Sequence, residues 1–486
     1  MQNNQQLGKL KTSTAFGYGI GAIGEGIGYN VFFSFFIFFL TTIAGIQPAI
    51  AGVISGVAVL WDAITDPLIG NWSDNTKNPH GRRRPFIMIG SVLFGICIAL
   101  MFIDIDIAPG AKVIYFIVIN AFYWATLTSC VIPHISLGSE LSEDFDERTK
   151  LRTYAASLMG IGTLIATSAT LMVVDFYEGI FGSETAGWAG MGITYGVLVI
   201  VVYNVCCRII KKREPENPNI KKAKAAEAAA EPVKKESFLK NALKAFKNGP
   251  LRLLLIITFV VNIVVTLGSG LFVYVLTYVY QYDEVKTSQI YFIQGILVIL
   301  AVVVAGYVAN KTEKRTTMII GLILYMMAFI VILVFPIADV TMYVGVVLFA
   351  LGNSSYWTMI YAMSYDTAII QQIKTDEKPD GLYTSLVGLL MKLGNSLGSF
   401  VVGIGLQLIG FSADLAVQTE ATQQGIRILY ALGPAVVLAI GVIAAVMYPL
   451  TKDKYNQLVE AYHKKYDEGI CEENADELIN RILKSK

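Results

Sequence analysis

Stretches of about 20 predominantly apolar residues recur along almost the whole chain, and each is long enough to cross a hydrocarbon layer of roughly 30 Å as a helix. In lipid a segment must satisfy its own backbone N–H and C=O groups, so a chain patterned this way folds as packed helices. Composition agrees. Of 486 residues, 55% are hydrophobic and only 15% charged, with a mean hydropathy of +0.57; a soluble domain carries about 25% charged residues. The sequence therefore describes an all-α polytopic membrane protein.

Helices are expected near 15–44, 48–71, 85–104, 112–138, 152–175, 187–210, 251–280, 288–309, 317–335, 340–370, 382–410 and 426–449, twelve in all. The polar start MQNNQQLGKLKTST lacks the pattern of a cleaved signal, so the first helix is expected to stay in the mature protein. Lysine and arginine collect in alternate short loops: Lys77 with Arg82, Arg83 and Arg84, then Arg148, Lys150 and Arg152, then Lys311, Lys314 and Arg315, then Lys374 and Lys378. The other loops hold little beyond Lys112 and Lys286. By the positive-inside rule both termini are cytoplasmic, in a cell (plasma or inner) membrane. The five cysteines show no metal or redox spacing.

The connection KKREPENPNIKKAKAAEAAAEPVKKES is basic and broken by Pro215, Pro218 and Pro232, and reads as a linker. It divides the chain into a six-helix bundle over 1–210, a cytoplasmic linker over 211–250, a second six-helix bundle over 251–450 and a cytoplasmic tail over 451–486. GNWSDNTKNPHGRRRPFIMIG after the second helix has a faint counterpart in GYVANKTEKRTTMIIG after the eighth. Two related six-helix bundles are the signature of the major facilitator architecture.

Against this apolar background Asp62 and Asp66 stand out. Four residues apart, they lie one turn apart on one helix face. A charge in mid-membrane costs about 2.5–3.5 kcal/mol on the insertion scale, so such residues face water or a partner. Two carboxylates this close repel unless a sodium ion or a proton sits between them. The competing reading is that Asp66 pairs with the arginine-rich loop and Asp62 with a lysine elsewhere in the bundle. Asp74, Arg82, Arg83 and Arg84, at the cytoplasmic end, are gating elements that pair with acids on the opposite half, or topology anchors alone.

WDAITDPLIG followed by SDNTKNPHGRRRPFI resembles the second helix and following loop of the glycoside-pentoside-hexuronide:cation symporter family, which includes the melibiose carrier. IPHISLGSELSEDFDERTKLR, YWTMIYAMSYDTA and MKLGNSLGS are similar to later segments of the same family, so the likeness covers most of the chain. The resemblance implies cation-coupled symport of a glycoside or related sugar. It makes Asp62 and Asp66 the cation carboxylates, sets Thr65 where some sodium-using members have asparagine, and matches Thr128 to a fourth-helix hydroxyl of the cation site. It also matches Lys392 to the lysine between cation and sugar regions, Trp357 to an aromatic position near the sugar, and Asp366 to a tenth-helix carboxylate. At the two positions where melibiose-type members carry sugar-binding aspartates this chain has Gly26 and Val131. At the fifth-helix arginine position it has Thr153, with Arg152 beside it.

The residues themselves offer pocket candidates: Glu25 and Tyr29 on one face of the first helix, Trp124 and Thr128 on one face of the fourth, and Trp357, Tyr361 and Tyr365 along the tenth. Aromatic walls with a few placed polar groups suit a sugar, although aromatic stripes also serve as plain packing. Lys392 is expected within reach of Asp62 or Asp366, because an unpaired ammonium in the bundle is costly. His134 is a pocket donor, a proton relay or a hydrogen-bonded helix histidine. The tail, with Leu458, Tyr462 and Tyr466 at helical spacing, reads as a surface helix. There is no phosphate-binding loop, nucleophile elbow or metal spacing. These features argue against a pump or hydrolase and lead to no cofactor, no metal beyond a possible sodium ion, no nucleic acid and a monomer. A non-transporting membrane sensor or scaffold, and an exporter of amphipathic solutes, remain open beside the symporter.

Overall fold

The structure is a computed structural model that describes residues 10–76, 78, 81–142, 144–211, 213, 245–246, 248–375, 380–413, 415, 417–467 and 475–484. Most of the 211–250 connection lies outside the described residues, as do Lys77, Lys378 and Cys471.

The described residues form helices and connecting turns. In chain order these are α1 (Thr12–Val31), α2 (Pro48–Asn75), α3 (Arg84–Met101), α4 (Pro109–Glu140), α5 (Phe145–Leu164), α6 (Thr170–Phe181) and α7 (Glu184–Ile210). They are followed by α8 (Gly249–Tyr274), α9 (Glu284–Lys311), α10 (Lys314–Val334), α11 (Asp339–Thr375), α12 (Asp380–Leu408), α13 (Glu420–Met447), α14 (Lys452–Asp467) and α15 (Ala475–Lys484). Wider π-turns prolong α1 over Phe32–Phe36 and Phe39–Ile43, join α5 to α6 over Ile165–Ala169, and prolong α8 over Val275–Val279. Counting α5 and α6 as one rod, α1 to α13 make twelve rods near the twelve expected positions. Ten of the described helices are long and apolar enough to span a membrane; α1 and α11, which carry Glu25 and Asp366, are the other two. The starts and stops follow local chemistry: proline opens α2 and α4, Asp144 caps α5 by accepting from Glu147 N–H at 2.9 Å, and Gly182, at φ 68°, ends α6.

The chain forms two compact units. One comprises Met1–Pro232, Ser269–Gly295 and Ser399–Thr422; the other comprises Val233–Gly268, Ile296–Gly398 and Gln423–Lys486. Lipid tails are as apolar as leucine, so helices in a membrane associate chiefly through close backbone approach and interhelical hydrogen bonds. In the first unit the backbones of Gly26 and Gly162 meet between α1 and α5, and those of Gly95 and Gly196 between α3 and α7. Large apolar side chains such as Ile89, Leu93 and Ile96 of α3 are left exposed, as a lipid-facing surface requires.

At the end of the first unit away from the arginine turn, an aromatic cluster forms. Phe38 meets Tyr274 with ring centres 5.1 Å apart, and Phe35 meets Tyr291 at 5.6 Å. Thr41 Oγ1 donates to Ile37 O at 3.0 Å, which leaves the Tyr274 hydroxyl to donate to Thr41 Oγ1 at 2.5 Å. Nearby, Gly52 of α2 faces Gly403 of α12 with backbone against backbone.

In the second unit α14 packs with Leu458 fully buried, and α15 buries Ile479 and Ile482. The expected tail helix is thus present in two pieces.

Candidate functional site

Helices α2 and α4 lie side by side in the same direction. Asn120 Nδ2 donates to Ile54 O at 3.3 Å and Thr128 Oγ1 to Asp62 Oδ1 at 2.7 Å, and both pairs have an offset of 66 residues. Parallel register follows, because an antiparallel pair would change its offset by two for every residue moved. This register carries Thr128 onto the aspartate face of α2, where its hydroxyl also lies 3.0 Å from Asp66 Oδ1.

A threonine hydroxyl has one proton and can donate to one of these two oxygens at a time. Oxygens from Asp62, Asp66 and Thr128 are brought together between α2 and α4. Asp62 and Thr128 are both 2% exposed. Thr65 donates its proton to Asp62 O at 3.2 Å, leaving its oxygen lone pairs free to accept. Pro67 and Pro133 lie inside α2 and α4, so the carbonyls of Ala63 and Ser129 lack their usual helical N–H partners. Among the described residues no group of three or more His, Cys, Asp or Glu side chains could hold a metal ion. A two-carboxylate site with hydroxyl oxygens suits a monovalent cation or a proton.

The rest of the first-unit candidates assemble around α1. Tyr29 and Trp124 have ring centres 5.8 Å apart. Trp124 is 1% exposed and its Nε1 has no hydrogen-bond partner among the described residues. Glu25 lies within electrostatic reach of Arg152, Tyr18, Tyr29 and Tyr203. Gly26, at an aspartate position in melibiose-type members, has no room for a side chain: a Cβ there would stand 2.8 Å from Thr163 N in α5. Glu25 is the acid adjacent to Gly26 on α1. Thr153 donates to Thr149 O at 2.9 Å within its own helix. His134 is buried, its Nε2 is 2.9 Å from Tyr18 O, and its ring stacks on Tyr18 with centres 4.4 Å apart. These contacts are those of a hydrogen-bonded helix histidine.

In the second unit, Trp357, Tyr361 and Tyr365 share a half-exposed face of α11. The Tyr361 hydroxyl reaches Met391 Sδ at 3.7 Å, next to Lys392. Asp366, matched by the resemblance to a tenth-helix carboxylate, is held in an ion pair. Lys314 Nζ donates to both of its carboxylate oxygens, at 2.8 and 2.7 Å, so the partner is a lysine at the start of α10 and not Lys392. Lys314 also lies over the Tyr455 ring of α14 at 5.9 Å. The ammonium is close because α10 begins beside the last turns of α11, a proximity that sequence spacing does not reveal.

The arginine turn is held in ion pairs too. Arg82 and Arg83 both bind Glu140 at the end of α4, and Arg83 binds Asp74 at the end of α2. Arg83 Nη1 adds Ser73 Oγ at 2.6 Å. These pairs lie inside one bundle rather than between halves, because the ends of α2, α3 and α4 meet there; Arg84, 8% exposed, sits at the first turn of α3. Sequence reasoning missed several polar residues within the rods, namely Asn30, Thr163, Asn262, Thr266 and Asn395. Their signal was visible, since Asn and Thr in apolar helices are the usual interhelical hydrogen-bond formers.

Among the described residues, long apolar rods with a buried Asp62 and a half-buried Asp66 define a polytopic membrane protein. Solved transporters share the fold: a D-xylose-proton symporter superposes with a TM-score of 0.63 at 14% identity, covering 90% of this chain and 96% of that one. A bacterial homologue of the human peptide transporters PepT1 and PepT2 gives 0.67 at 13%, covering 93% and 100%. The profile described as MFS/sugar transport protein matches residues 17–452, and the chain belongs to that family, the glycoside-pentoside-hexuronide type of major facilitator symporter. It is similar to the uncharacterized symporter YjmB of Bacillus subtilis, at 27% identity over 94% of this chain and 96% of the relative. It is also similar to the isoprimeverose transporter of Lactiplantibacillus pentosus (24%, 94% and 92%) and to a glucuronide carrier protein homolog of Escherichia coli (26%, 94% and 96%).

Proposed function

We propose that the chain couples inward movement of sodium or a proton to uptake of a glycoside or related sugar by alternating access of two six-helix halves, 1–210 and 251–450, joined by the 211–250 linker. The observation that carries this reading is the Thr128 hydroxyl lying 2.7 Å from Asp62 and 3.0 Å from Asp66. Oxygens of Asp62, Asp66 and Thr128 gathered at one place are the ligands assigned to the coupling cation. Sodium takes several oxygen ligands, which Asp62, Asp66, Thr128 and Thr65 supply, whereas a proton needs one carboxylate.

Glu25, Tyr29, Trp124, Trp357, Tyr361 and Lys392 form the substrate set. Aromatic faces receive the sugar ring, the Trp124 indole N–H has an acceptor to gain, and Glu25 and Lys392 hold hydroxyls. Asp366 and Lys314 act as a gating pair, a role shared by Asp74, Arg82, Arg83 and Arg84. The basic loops put these charges and both termini on the cytoplasmic side of the cell membrane, and a monomer suffices for the cycle.

The test is uptake of labelled isoprimeverose and methyl glucuronide by proteoliposomes, under a sodium gradient at fixed pH and under a pH gradient without sodium. Accumulation under one gradient and not the other identifies the ion. Binding without flux under either gradient would replace this reading with a sensor, and efflux without cation stimulation with an exporter.

A further inference from the structure

The two charged groups of the proposed substrate set stand beside the same construction in different units. On α1, next to Glu25, Asn30 Nδ2 donates to Gly26 O at 2.8 Å and to Thr163 Oγ1 of α5 at 3.0 Å. The helices touch there because Gly26 and Gly162 have no side chains: a Cβ on Gly162 would lie 2.9 Å from the carbonyl carbon of Ile23. On α12, one turn beyond Lys392, Asn395 Oδ1 accepts from Thr266 Oγ1 of α8 at 3.1 Å. Glycines again remove the spacing: a Cβ on Gly394 would lie 2.9 Å from Asn262 Cβ, and one on Gly398 would lie 2.6 Å from Thr266 Cβ. Asn262 Nδ2 then reaches the Tyr356 hydroxyl of α11 at 3.0 Å, beside Trp357. Rods α1 and α5 are first and fifth in the chain, and α8 and α12 are seventh and eleventh, six places on in each case.

A glycine contact lets two helices approach but fixes neither height nor rotation, since bare backbone slides past bare backbone. One residue of slip along a helix moves a side chain by about 1.5 Å and turns it by about 100°. A hydrogen bond between side chains on the two helices selects one register, because in an apolar seam the slipped alternative gives up that bond.

We propose that the Asn30–Thr163 and Thr266–Asn395 bonds are matched positioning bonds that hold Glu25 and Lys392 at the height and rotation a sugar requires, without touching the coupling cation. The inference rests on the reading of Glu25 and Lys392 as substrate groups. It assigns Asn30, Thr163, Thr266 and Asn395 to substrate affinity, and Asp62, Asp66 and Thr128 to ion affinity.

Thr163→Val and Thr266→Val keep the side-chain shape and remove the hydroxyl; Thr163→Ser and Thr266→Ser keep the hydroxyl. Insertion of all four is checked by size-exclusion chromatography in detergent. The first readout needs no substrate: a nitroxide attached to Lys392→Cys or Glu25→Cys reports local order. The expected result is a second, more mobile spectral component in the valine variant of the same unit, restored to the parent spectrum by serine. The second readout is uptake of labelled isoprimeverose and methyl glucuronide by chains with native Glu25 and Lys392. Apparent Km is expected to rise five- to twentyfold in the valine variants, with maximal rate and half-saturating cation concentration within twofold of the parent. Unchanged nitroxide spectra in both valine variants would overturn the positioning role, as would a loss of cation affinity equal to the loss of substrate affinity. Lys392→Ala separates the two levels: if it leaves Km unchanged while the valine variants alter the spectra, the substrate assignment is wrong and the positioning bonds stand.

Discussion

Substituting Gly403 tests whether the end of the first unit away from the arginine turn must close during transport. A Cβ on Gly403 would stand 2.6 Å from Gly52 Cα and 2.7 Å from Gly52 N. Unbonded carbon atoms prefer about 3.5–4.0 Å, so α2 and α12 must separate by about 1 Å, and both obstructing atoms are backbone that no rotamer change can move. Overpacking of this kind costs about 1–3 kcal/mol. At 1.4 kcal/mol per factor of ten, the closed arrangement seen here loses about 5- to 150-fold in population relative to one in which α2 and α12 part. Gly403→Val belongs at the upper end of that range and Gly403→Ala at the lower. The assay is thiol labelling of Phe38→Cys, which replaces a ring that packs on Tyr274 and Trp188, in a Cys471→Ser background. The described native cysteines are buried and contribute little signal. Labelling from that side should accelerate in the order Ala then Val, while sugar accumulation falls in the same order. Gly433→Ala is the control, because nothing lies within 4 Å of a Cβ there. Wild-type labelling and uptake in Gly403→Val would refute the reasoning, since they would mean that the contact is never required.

Other perturbations follow from the same geometry. Asp62→Asn and Asp66→Asn should each abolish cation-driven accumulation while the protein still inserts; energised uptake in both variants, measured in proteoliposomes, would remove the cation assignment. Glu140→Gln takes away the carboxylate shared by Arg82 and Arg83, and Arg83 is only 5% exposed. Loss of a charged hydrogen-bond partner costs about 1.5–3 kcal/mol, offset in part by Asp74 and Ser73, so a lower melting temperature in detergent is expected. Glu140→Asp should recover part of it, and an unchanged melting temperature in Glu140→Gln would show the pairs to be solvated decoration.

Much of the molecule was legible in the amino-acid order because membrane helices are governed by local rules. An apolar run must satisfy its own backbone, so the twelve rods could be read from hydropathy, while Pro48, Pro109 and Gly182 mark where the structure starts or stops them. The spacing of Asp62 and Asp66 placed two carboxylates on one face for the same reason, since four residues is one turn. What the order of residues could not decide was which helix each face meets. Thr128 completes the aspartate pair only because α2 and α4 run parallel with an offset of 66 residues. Gly26 excludes an acid only because α5 backbone presses on it. Asp366 is taken by Lys314, 52 residues away in sequence, and Arg82 and Arg83 find Glu140 within their own bundle, because ionic partners are chosen by which helix ends come together. A side chain's position on its helix is a property of a few neighbouring residues. Its partner is a property of the packing of distant rods, settled by where glycine permits contact and where a hydrogen bond fixes the register.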